Sequence, residues 1–403
     1  VLSAFAKALP GMGINCDEIG VVKDLIMKSL CIEKDMSSTE TSLSDGLYIT
    51  TTFVEDRAKI DLDVSDMIKS LDQGNIAAAK AIYMGGLNSV IYNSKGVKTG
   101  LRSLANFSIT SSDTMSHEPT YNLFRYAFGD RSGIYIGRNA GEYGDIVVQS
   151  FLNGKSIFEK GLHVDLAAEA VVSLNIWGFI VHELHQTVEN CQEKKLRDDD
   201  GVHSIDEAVA YWIGSGQQTG SAEKGHLMYA LTERMGEMFG QDINGQSKAN
   251  LSILRLFKQA SIQLSLPNAC LRTSDFKILR SIVIKLISKM LIPQIQGLIS
   301  SLKMNDKQRV IIFSHAVVPF TATCNPSTFA FLKEKLILDE FNVVHADEII
   351  RKIQSLYSCL GLTCDDIGQF ETDEVLDCVD KPMNYPLGGY IPLTDVREVS
   401  TSG

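Results

Sequence analysis

The segment AAEAVVSLNIWGFIVHELHQTVENCQEKK (Ala167–Lys195) carries the longest uninterrupted helical pattern in the chain. A helix of that length, largely apolar in its first half, needs other elements to cover it. The remaining pattern supplies helices for the purpose. DVSDMIKSLDQGNIAAAKAIYMGG (Asp63–Gly86) opens on acidic residues suited to a helix start and stops at Gly85-Gly86. EYGDIVVQSFLNG restarts a helix, and KGHLMYALTERMGEMF reads as another. Further helices are predicted at Asn250–Leu264, at Thr273–Ser301, from Asp306 onward, and at Leu332–Cys359 with a bend after Phe341. NSVIYNSKGVKTGLRSLA is punctuated by Gly and Ser and reads as a connection. Alternating strand patterns are scarce; RVIIFS (Arg309–Ser314) is the best short apolar run and is ambiguous between strand and helix. The expected fold is mainly α, a helical bundle-type body.

A repeated motif frames that body. GMGINCDEIG near the start is matched by CLGLTCDDIG near the end, aligning Cys16 with Cys364, Asp17 with Asp365 and Gly20 with Gly368. Cys31 follows Cys16 by 15 residues and Cys378 follows Cys364 by 14, while GLYITTTFVEDR is answered by GYIPLTDVRE. The sequence therefore divides into a linker or cap over residues 1–59, a body over 60–356, and a second linker copy over 357–403 that would lead to a further repeat unit. The spacing suggests the disulfides Cys16–Cys31 and Cys364–Cys378, each closing a loop worth about 3 kcal/mol in the chain-entropy model. The competing reading is that these cysteines are reduced and buried. The chain opens on Val1 with no leader visible, and the sequons at Asn106 and Asn250 fit a glycosylated, secreted surface.

A net charge of −11 argues against nucleic acid or an anionic membrane as partner, since both call for clustered Lys and Arg. No membrane span is expected. VVSLNIWGFIV is too short, and ILRSIVIKLISKMLIPQI is interrupted by Arg280, Lys285 and Lys289.

Candidate chemistry gathers between Trp177 and Phe239, which holds four of the eight histidines. His182 and His185, in HELH, lie three residues apart and share one side of a helix. The spacing is one short of HExxH, which excludes a zincin. In SIDEAVAYWIGSG, Glu207 and Tyr211 put a carboxylate and a phenol on one face of a second helix, and the Asp198–Gly201 bend turns that face toward the histidines. Glu207 also fits a capping box with Ser204 as N-cap, which is its competing role. Tyr143 and Asp145, in GEYGDIV, are further candidate ligands, with turn formation as the alternative. Carboxylate and phenolate oxygens are hard ligands that favour Fe(III) over calcium. DDDG lacks the ligand spacing of an EF-hand. His315 and His345 lie in apolar surroundings and read as core or boundary residues. No GxGxxG, Walker loop, GxSxG or CxxC motif is present, and the chain is read as a non-enzyme.

Taken together, DLDVSDMIKSLDQGNIAAAKAIYMGGLNS, YGDIVVQSFLNG, HELH with its following cysteine, DEAVAYWIGSGQ, LMYALTERMGEMF and the CLGLTCDDIG…GYIPLTDV repeat resemble the algal low-iron-inducible periplasmic (Fe-assimilating) proteins, a family that includes the diatom phytotransferrins. The resemblance implies a secreted, periplasmic or cell-surface protein that captures ferric iron, in phytotransferrins together with carbonate. Within the matched DEAVAYWIGSG motif, Gly214-Ser215-Gly216 could offer backbone N–H groups to such an anion. The alternative is an extracellular structural or adhesive repeat protein that keeps the fold without metal, its partners being neighbouring units or cell-wall components.

Overall fold

Apolar residues at helical spacing, closed off by caps, generate almost all of the architecture. The computed structural model describes residues 41–380, save for 44–45, 94, 110–114, 116–117, 130–141, 155–162, 195–199, 267–268, 339–341 and 371–377. A small antiparallel hairpin, β1 (Thr41–Leu43) with β2 (Tyr48–Thr50), leads through a short turn of helix, Glu55–Ala58, into α1 (Ile60–Asp72). The helix expected over 63–86 is broken in two, because Gly74 adopts a positive φ of 70° and the Asn75 side chain caps α2 (Ile76–Gly85) by accepting from Ala78 N–H. The connection that follows folds into a second antiparallel hairpin, β3 (Val90–Tyr92) with β4 (Lys98–Leu101). The described strands are confined to these two hairpins, and the chain is mainly α.

The short helix Asn106–Ile109 precedes α3 (Pro119–Phe128) and α4 (Tyr143–Leu152). Then comes the long element α5 (Val164–Gln192), which opens as a 3-10 turn, passes through a π-helical stretch at Val171–Ile176, and continues as a regular α-helix from Trp177. α6 (Asp200–Ile213) packs closely along it. Beyond them lie α7 (Met228–Met238), α8 (Lys248–Ser265, capped by Ser247), α9 (Thr273–Lys303), α10 (Lys307–Thr321, capped by Asp306), α11 (Pro326–Lys333, capped by Asn325) and α12 (Ala346–Gln354). The ambiguous RVIIFS run is therefore helical, inside α10.

The main hydrophobic core runs through the described residues from Leu43 to Ile367, with α5 and α9 contributing to it along their length. By length and composition both helices could cross a membrane, which corrects the expectation that no run was long enough. Burial accounts for it: 72% of each apolar window is inside the bundle. Gly297 of α9 lets the Phe313 ring of α10 come close, since a Cβ there would stand 2.5 Å from ring carbons. Gly297→Ala is therefore expected to lower stability by about 1–3 kcal/mol in denaturant melts, although alanine is the better helix former.

Disulfides Cys191–Cys270, Cys324–Cys359 and Cys364–Cys378 link the described residues. The short helix Cys364–Ile367 also docks on α9, with Lys289 paired to Asp366 at 2.5 Å and Gln296 donating to the Ile367 carbonyl. Cys16, Cys31 and the copied motif beyond Asp380 lie outside the described residues.

Candidate metal centre

α6 is positioned by its own aspartate. Asp206 Oδ2 accepts from the backbone N–H groups of Thr51 and Thr52 at 2.8 Å and from both hydroxyls at 3.0 Å. That clamp brings the helix Glu55–Ala58 alongside, so that Arg57 Nε donates to Glu207 on the next residue of α6. Arg57 is also paired with Asp56 at 2.9 Å and lies 3.1 Å from His203 Nε2, which itself is 3.1 Å from Glu207. Arg102, just past β4, reaches the same Asp56 at 3.1 Å and donates to the Val90 carbonyl at 2.6 Å.

Opposite Glu207, on α5, stands Glu183, a residue buried within the HELH motif itself. Burial, then the charge of Glu207, push the Glu183 carboxyl well above the usual range, and it shares a hydrogen bond with Glu207. Burial alone would also raise Glu207. The hydrogen bond from His203 and the Arg57 charge outweigh it and hold that carboxylate low. The pair is thus a neutral acid facing a carboxylate, one proton between two oxygens. Tyr211, one turn further along α6, is fully buried; burial, then Glu207, keep its phenol protonated well above the ordinary range. Phe179 lies under both Tyr211 and His182, at ring distances of 5.5 and 5.3 Å.

His182 and His185 both turn toward the start of α3, as their spacing predicts. His182 Nδ1 lies 2.5 Å from the buried Glu118 carboxylate, and His185 Nε2 lies 2.8 Å from Thr120 Oγ1. The negative charge of Glu118 also reaches Glu183. Glu183 thus feels two further carboxylates, Glu207 on α6 and Glu118 at the start of α3, with His182 on Glu118 and Tyr211 within reach of the Glu207 and Glu183 charges. As they stand Glu118 faces His182, Glu207 faces Arg57 and His203, and Glu183 keeps its proton, and among the described residues no group of three His, Cys, Asp or Glu is arranged to hold a metal ion.

The other candidates fall elsewhere. Tyr143 stacks on Phe124 at 4.4 Å and borders a cavity that Glu118 also lines. Asp145 accepts a 2.6 Å hydrogen bond from Tyr83, which ties it to α2 and not to the histidines. Gly214, Ser215 and Gly216 have no N–H left for a foreign anion. Their donors go to the Ala210 carbonyl, the Ala58 carbonyl and the Asp61 carboxylate, so all three are used within the chain and only Gly216 meets an anion, Asp61. The capping box assigned to Glu207 is also corrected, because α6 starts at Asp200 and Ser204 is inside it. Asn106 is exposed, but Asn250 is corrected as a glycan acceptor. It is 1% exposed, its Oδ1 accepts from Trp212 and its Nδ2 donates to Tyr229 and Glu233. His315 is in the core against Phe128, where burial drops its pKa to about 4 and leaves it neutral.

Sequence reasoning passed over Glu118, Glu183, His203 and Arg57. Glu183 and His203 were within reach, since both stand in motifs already singled out for their neighbours. Arg57, separated from Glu207 by 150 residues, carries no local signal.

A buried carboxylate–imidazole–phenol cluster inside a disulfide-linked helical bundle defines an extracytoplasmic helical protein equipped for polar, ionic chemistry in its interior. Residues 34–308 match the family described as low iron-inducible periplasmic protein (Fea1), a span that contains every residue of the cluster. The chain belongs to this family, which agrees with the expected location outside the cytoplasm. No curated protein and no solved structure matches it.

Proposed function

We propose that this protein captures ferric iron outside the cytoplasm, as a binding protein and not an enzyme, between α5, α6 and the start of α3. The observation that supports the reading most is that the buried Glu183 shares a hydrogen bond with Glu207 and lies within reach of the Glu118 charge, with His182 on Glu118 and Tyr211 within reach of the Glu183 and Glu207 charges. Like charges gathered away from water are costly to the empty protein, and here one of them is held neutral as a result. A trivalent cation reverses that cost. It would take the place of the proton between Glu183 and Glu207 and draw the proton from the Tyr211 phenol, giving a hard oxygen-rich set with His182 as nitrogen ligand. If carbonate accompanies the metal, Arg57 and Arg102 are the cations whose charge already reaches Tyr211, and they replace the Gly214–Gly216 nest as its seat.

The test is equilibrium dialysis of the purified chain against Fe(III) with and without bicarbonate, followed by visible absorption. A ferric–phenolate band is expected, lost in Tyr211→Phe, with affinity reduced ~100-fold or more in His182→Ala and Glu207→Ala. No retained iron, or retention that is equal in all variants, would sink the proposal and favour a structural role for the fold.

A further inference from the structure

Two buried polar atoms close to the histidines have no partner within the protein, the Tyr143 hydroxyl and Asn175 Oδ1. The residues are 6% and 2% exposed. Both border a cavity of about 40 Å3 whose other polar walls, among the described residues, include Ser108, Glu118, Thr120 and Tyr121. Gly178 leaves the space open on the α5 side, where a Cβ would stand 3.7 Å from the Tyr143 hydroxyl. One water molecule needs roughly 10–15 Å3 of such volume, so about two or three fit.

The chemistry of the two orphans selects the occupant. The Tyr143 O–H requires an acceptor, and Asn175 Oδ1 requires a donor. A metal ion answers only the second need. An anion answers only the first, and would face both the Glu118 carboxylate and the Asn175 carbonyl. An empty cavity leaves both unpaired, at about 1–3 kcal/mol each. Water donates and accepts, and so satisfies both.

The cavity also joins two networks. Asn175, carried by the π-helical turns of α5, donates through Nδ2 to Tyr83 and to the Leu104 carbonyl, both at 3.1 Å, and Tyr83 in turn donates to Asp145. On the facing wall, Glu118 holds His182 and Thr120 holds His185. We infer that this cavity binds a small cluster of water molecules linking the Asp145–Tyr83–Asn175 network to the two residues that carry the histidines. The inference is independent of whether iron binds.

Tyr143→Phe in the full chain separates the wet from the dry case by sign. With water present, the variant strands a buried water one partner short and the melting temperature falls by about 2–4 °C. In a dry cavity the same change removes an unpaired hydroxyl, and a melting temperature that rises or holds overturns the inference. A crystal structure of the metal-free protein reads the occupant directly. Water density within hydrogen-bond distance of Tyr143 Oη and Asn175 Oδ1 is expected; an empty cavity, a metal ion or a bicarbonate there would overturn it.

Discussion

Replacing Glu183 with glutamine is expected to make the protein more stable and a poorer iron binder at once. In the folded chain burial and Glu207 keep Glu183 protonated well above the ordinary carboxylate range. In the unfolded chain it ionises at the ordinary value. Between the two values the native state holds the extra proton, so this group makes stability fall as pH rises through the window. Below both values it contributes nothing. Glutamine stays neutral throughout, keeps the shape and still donates to Glu207. The variant should therefore match the parent near about pH 4 and melt above it near about pH 8, with a flatter dependence between. Ferric affinity should drop at least 10-fold, because the cation loses a carboxylate it would displace a proton from. Thermal melts across pH and dialysis against Fe(III) check the two halves separately. Parallel pH profiles would show that Glu183 is not held as described, and unchanged affinity would remove it from the site.

The second large effect concerns Cys191–Cys270, which spans 79 residues and ties the end of α5 to the approach to α9. Closing a loop of that length restricts the unfolded chain by about 4.5 kcal/mol in the chain-entropy model. The 14-residue loop of Cys364–Cys378 is worth about 3 kcal/mol on the same basis. Paired cysteine-to-serine variants of each bridge, compared by denaturant unfolding, should rank in that order. Equal losses would show that native-state contacts near the bridges, and not loop closure, set their worth. The Cys191 variant should also weaken ferric binding more, since HELH lies on the helix that the bridge anchors.

How much of this could be read from the residues alone follows a physical divide. Helices announced themselves through periodicity and caps, which are local, and so α5, α7 and α9 stood close to their expected spans. Asn250 misled because a sequon is a local string, whereas burial against Trp212 is set by the packing of α6 on α8. The Gly214–Gly216 nest was recognised as a donor array. The anion that Gly216 meets, Asp61, arrives from α1 and could not be seen. The site divides in the same way. His182, Glu207 and Tyr211 were legible from spacing on their own helices. Glu118, which faces His182, and Arg57, which holds Glu207 low, come from distant segments that only tertiary packing delivers.

The π-helical stretch of α5 has a consequence for how this family can vary. A π turn holds one residue more than an α turn, and each residue advances an α-helix by about 100°. Removing one residue between Val171 and Ile176 would therefore hardly shorten the helix. The π turn would close to an α turn, and everything from Trp177 onward would keep its face, so that His182, Glu183 and His185 still meet α3 and α6; tightening the stretch without a deletion would instead turn them by about 100°. The stretch works as a slack turn, and a relative that lacks the extra residue can keep the same face and the same cluster.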